Sequence, residues 1–91
     1  MADGETRATQ HVLRLPELGL SQVPLVASLW LVPRGSEVTE GDRVLEVLAG
    51  DVTVDLAAPA SGRLTAKLVE DDDPIVVGQA LAIIEAPASG A

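Results

Sequence analysis

Two stretches of this chain align on each other at an offset of 37 residues, and that alignment constrains the fold more than any other feature. It sets Gly41 over Gly78, Val38 over Ile75, Val44 over Leu81 and Val47 over Ile84. Leu31 and Val32 fall on Leu68 and Val69, and the turn Pro33, Arg34, Gly35, Ser36 falls on Glu70, Asp71, Asp72, Asp73. Matched apolar positions joined by matched turns predict two similar halves packed as one pseudo-symmetric domain.

The halves are strand-like throughout. HVLRL at 11–15 alternates, with Leu13 and Leu15 on one face and Arg14 on the other. VASLWLV at 26–32 is apolar enough for a helix, but it is short, rich in β-formers and bounded by Pro24 and Pro33. RVLEV at 43–47 puts Leu45 and Val47 on one face with Glu46 between them. VTVDL at 52–56 points Val52, Val54 and Leu56 inward and Thr53 and Asp55 outward. GRLTAKLV at 62–69 and ALAIIE at 80–85 add two more strands. Gly, Pro, Asp and Ser clusters separate them, and no segment has helical amphipathicity. An all-β barrel or sandwich follows, since closure limits exposed strand edges.

A chain of 91 residues is one small domain. With no Phe, no Tyr and one Trp, its core must come from Val, Leu, Ile and Ala. The absence of Cys excludes disulfides, thiolate metal sites and cysteine catalysis. A formal net charge of −8 opposes binding to nucleic acid or anionic membrane, and suits a protein partner with a basic docking face. No apolar run reaches the ~18 residues of a membrane-crossing helix, and the polar start MADGETRATQ is unlike a secretory signal. The expected location is cytoplasmic. The expected organisation is a flexible N-terminal tail at 1–10, a domain at 11–85 and an Ala/Pro tail at 86–91.

Specific motifs then carry a resemblance. LPELG at 15–19, WLVPRGSEVTEGDRVLEV at 30–47, APASG at 58–62 and IVVGQALAII at 75–84 stand in the order and spacing of the lipoyl/biotinyl attachment domains, and the chain resembles the lipoyl domains of 2-oxoacid dehydrogenase acyltransferases. The resemblance implies a flattened barrel-sandwich hybrid of two antiparallel four-stranded sheets related by a pseudo-twofold axis. It also implies a hairpin whose tip lysine carries lipoate, or biotin in the sister branch, on a swinging arm. In that division of labour the cofactor does the chemistry and the domain supplies a rigid post.

The chain departs from that pattern at the tip. Where the family reads Glu-Thr-Asp-Lys, this sequence reads Leu48, Ala49, Gly50, Asp51, and the following ThrValAsp and AlaPro fit without a gap. Asp51 therefore occupies the lipoyl-lysine position, and a carboxylate cannot form the amide that a lysine amine forms. No cofactor is expected. Gly50 and Asp51 also make a good hairpin turn in their own right. The one lysine, Lys67, lies in a strand opposite Trp30 in the repeat and lacks the flanking motif.

The remaining candidates are weaker. Glu70, Asp71, Asp72 and Asp73 read as a solvated acidic turn, since a calcium loop spaces its ligands and places a Gly. His11, the sole histidine, has no nucleophile-elbow partner, so no catalytic or metal-binding residue is assigned. The apolar loop 19–28 matches the segment by which lipoyl domains are recognised, and Leu20 and Val23 in it are candidate partner contacts, with Glu46, Gly50, Asp51 and Asp55 on the hairpin. The expected function is a stand-alone, non-carrier binding or assembly module, not an enzyme, that docks to a 2-oxoacid-dehydrogenase-like, acyltransferase-like or biosynthetic enzyme. The alternatives are a working lipoyl or biotinyl carrier with its attachment site elsewhere, and a small enzyme or ligand-binding barrel that uses the tip.

Overall fold

A computed structural model of the chain describes residues 9–20 and 22–87. The strands are β1 (Thr9–Arg14), β2 (Leu25–Trp30), β3 (Glu37–Val38), β4 (Arg43–Ala49), β5 (Val52–Ala57), β6 (Gly62–Lys67) and β7 (Ala80–Ala86). They form two antiparallel sheets, one in the order β1-β7-β6-β3 and the other in the order β2-β4-β5. The first sheet has the expected four strands. The second has three, and an isolated bridge between Val26 and Pro74 stands where its fourth would be. Pro74 has no N–H to continue a ladder, so pairing there is carried by its neighbours: Ile75 N donates to Leu25 O at 2.9 Å and Ala27 N to Asp73 O at 2.9 Å.

The sequence repeat is a structural repeat. At the offset of 37, β2 falls on β6, β4 on β7, and β3 on the bridging residues Pro74 and Ile75. β5 falls on β1 at an offset of 43, because the connection after β1 has ten residues (15–24) and the one after β5 has four (58–61). The irregularities repeat as well. Register shifts between Arg43 and Leu45 in β4, and between the partners of Leu13 and Arg14 in β7, leave Val44 and Leu81 as extra residues. At each bulge two consecutive side chains are buried, Val44 with Leu45 and Leu81 with Ala82. The connections are clamped alike: Gly78 N donates to Leu15 O and Leu15 N to Gln79 O, as Gly41 N donates to Ala58 O and Ala58 N to Asp42 O.

The core between the sheets is aliphatic, with Leu15, Leu45, Leu64, Leu81, Ile84, Val44 and Val47 its largest fully buried side chains. Three symmetry-related pairs hold a leucine on one side and an alanine on the other: Leu15 with Ala58, Leu64 with Ala27, and Leu45 with Ala82. Close packing is kept by complementing large with small rather than by copying. No polar or charged side chain is buried among the described residues. Nor is any helix there long and apolar enough to cross a membrane.

Two details differ from expectation. β1 begins at Thr9, because Thr9 and Gln10 pair with Ala86 and Glu85. Residues 1–8 and 88–91 of the expected tails lie outside the described residues. Val52 is not packed inward: it is 52% exposed, as the first residue after the turn at the end of the barrel.

Candidate functional site at the hairpin end

Ala49 pairs with Val52, so Gly50 and Asp51 are the two central residues of a two-residue hairpin loop. Gly50 has φ of +61° and Asp51 does not share a positive φ. That is the pattern of a type II′ turn, which matches the twist of its strands and needs glycine at the first central position. Asp51 is exposed, as its parity with Thr53 and Asp55 predicts.

The connection 15–24 braces this turn. Gly50 N donates to Pro24 O at 3.1 Å, and a Cβ built on Gly50 would lie 3.5 Å from the Val23 side chain. Val23 is half-buried, whereas Leu20 is 39% exposed. The structure thus brings Leu20, Val23, Gly50 and Asp51 to one end of the barrel. Glu46 and Asp55 stand elsewhere. They face each other across β4 and β5, with three residue pairs between them and the turn. Glu46 accepts a 3.1 Å hydrogen bond from Ser28 Oγ, and Asp55 lies 3.8 Å from Arg43 Nε.

Beside the turn is an apolar groove of about 530 Å³. One wall is the connection and the start of β2, with Leu20, Val23 and Leu25; the other is Ile75, Val76 and Val77. Val76 is 66% exposed and Val77 48%. These two valines were not among the residues expected to matter, because IVVGQ reads as structural motif. The signal that finds them is the repeat itself: at the offset of 37 they fall on the polar pair Thr39 and Glu40.

The lone lysine is committed elsewhere. Lys67 Nζ sits 5.0 Å from the centre of the Trp30 ring, and Trp30 Nε1 donates to Val69 O at 3.1 Å. Both residues are half-buried, and they are repeat mates. The acidic turn is closed by its own groups, with Asp73 Oδ2 accepting from Glu70 N at 2.8 Å. No cluster of three or more metal-ligating side chains occurs among the described residues.

Comparison with known proteins places this architecture. The biotin/lipoyl family profile, described as "Biotin-requiring enzyme", matches residues 11–84. The chain belongs to the biotin/lipoyl family. Among its relatives, the dihydrolipoyllysine-residue acetyltransferase component of an acetoin cleaving system from Pseudomonas putida is 34% identical over 81% of this chain and 20% of its own length. The lipoamide acyltransferase component of a branched-chain alpha-keto acid dehydrogenase complex from the same species is 33% identical over 88% of this chain and 19% of its own. The chain therefore spans about a fifth of the length of these curated relatives. A solved single-chain, multi-domain long-chain acyl-CoA carboxylase shares the fold, with a TM-score of 0.66 and 22% identity over 81% of this chain and 7% of that one. The two curated relatives and the carboxylase are thus all much longer than this chain, which matches only a part of each.

Proposed function

We propose that this biotin/lipoyl domain is a non-carrier binding or assembly module, which docks its hairpin end on an enzyme of the 2-oxoacid dehydrogenase or acyltransferase type. One observation carries the reading: the exposed second residue of the tip turn is Asp51, a carboxylate. Attachment of lipoate or biotin in this family needs a nucleophilic amine there, and a carboxylate does not fit that chemistry. The chain's one amine-bearing side chain, Lys67, lies in β6, away from any tight turn and stacked on Trp30. The rigid post is retained, since the II′ turn and its brace to Pro24 hold the tip in place, and a rigid post without an arm is a docking element.

The test is intact mass. Co-expression with a lipoate ligase and a biotin ligase leaves the mass of the chain unchanged; a lipoyl or biotinyl increment overturns the reading. Asp51→Lys is the reverse test. The substituted residue sits at the second central position of the turn, where no left-handed backbone is required. Modification of that variant by a ligase is the expected result.

A further inference from the structure

The two ends of the barrel share a scaffold but not a surface. At the end away from the tip, Ser61 Oγ accepts the N–H of Glu40 at 2.8 Å, so the short connection 58–61 is bonded to Glu40 of the polar pair. At the hairpin end the longer connection and the exposed pair Val76 and Val77 instead line the open groove. The turns leading into these pairs differ in the same direction. Thr39 and Glu40 follow the turn Pro33, Arg34, Gly35, Ser36, whereas Val76 and Val77 follow the acidic turn Glu70, Asp71, Asp72, Asp73, whose first three residues are exposed and which adjoins the groove through Pro74. Among the described residues, Glu17 is the only ionisable one lining the groove.

Leaving valine in water where the repeat mate is polar costs solubility and gains no packing, so a partner that covers it is the physical counterpart. We infer that this groove holds a segment of a partner protein in which one or two aliphatic side chains are flanked by Arg or Lys. The aliphatic groups seat against Leu20, Val23, Leu25, Val76 and Val77. The flanking cations face Glu17 and the acidic turn 70–73. A second copy of this chain is a poor occupant, because it would bring a net charge of −8 against the same acidic rim. The inference rests on the docking role proposed above and specifies the surface that docks.

The probe is a synthetic peptide with two central leucines flanked on each side by two arginines, titrated to about 1 mM into the isotopically labelled full chain. Amide shifts are expected at Leu20, Val23, Val76 and Val77, saturating with peptide and weakening as salt rises from about 0.05 to 0.3 M. The same peptide with glutamates in place of arginines gives none. The double variant Val76→Thr, Val77→Glu installs the residues of the opposite end, and is expected to weaken binding about tenfold or more. Glu70→Lys with Asp71→Lys leaves the groove lining intact and weakens binding by a few-fold. Absence of shifts, equal binding of the acidic peptide, indifference to both double variants, or self-association in sedimentation that these valine substitutions abolish would each overturn the inference. The two proposals fail separately. A mass increment after ligase co-expression removes the non-carrier reading and leaves the groove result standing, whereas an inert groove leaves the mass result untouched.

Discussion

Leu25 and Gly62 are the same position in the two halves, and they show how far the halves have diverged. Leu25 opens β2 at the hairpin end, where its half-buried side chain lines the groove. Gly62 opens β6 at the opposite end, where a Cβ would collide with the backbone of Glu85. One end is sealed by strands that approach too closely for any side chain. The other keeps a side chain and the space in front of it. The common parts, namely bulges, clamps and strand pairing, define the barrel, so whatever distinguishes this domain lies in what the two ends do not share.

The largest effect expected from breaking that comparison is at the sealed end. Gly62→Ala forces the β6 and β7 backbones apart, and overpacking of this kind should cost about 3 kcal/mol. Leu25→Ala, at the equivalent position, removes only part of a half-buried side chain and should cost about 1 kcal/mol. Urea unfolding midpoints of the two variants check the inequality; equal losses would mean that the ends are equally closed. Next in size is the tip. Gly50→Ala places a Cβ on a residue with φ of +61°, a left-handed conformation that costs about 1–2 kcal/mol without glycine. Chemical denaturation reads the loss, and weaker amide-exchange protection of Gly50 itself, whose N–H bonds Pro24, localises it.

How much of this could be read in advance follows from where the physics is local. Turn chemistry and period-two alternation are local, so the strands, Asp51 at the tip and the repeat were all legible. Pairing partners are not local. Alternation assigns Val52 to the inward face, but cannot say that the barrel ends there and leaves it half in water. Pro74 announces a break in a ladder but not that one bridge survives beside it. Two consecutive buried residues at Val44 and Leu45 come from a bulge, which depends on the partner strand's register. Val76 and Val77 were hidden because two valines beside a turn look like core, and only the contrast with Thr39 and Glu40 marks them as surface.

The smallest expected effect concerns the pair that sits at one repeat position in both halves. Trp30 and Lys67 are symmetry mates, and the ammonium of one lies over the ring of the other at 5.0 Å. The halves therefore meet here through a complementary pair, just as Leu meets Ala at three core positions. A partly buried cation–π contact contributes about 0.5–1 kcal/mol. In a double-mutant cycle, Lys67→Met and Trp30→Leu are made singly and together. Methionine keeps the length and apolar contact of the lysine stem, so the coupling isolates the charge on the ring. A coupling of about 0.5 kcal/mol in urea unfolding is expected, with a change in indole emission in Lys67→Met. Zero coupling with unchanged emission would mean that the ammonium spends its time in solvent. That result would also free the chain's one side-chain amine for chemistry, so this smallest measurement bears on whether the domain can carry anything at all.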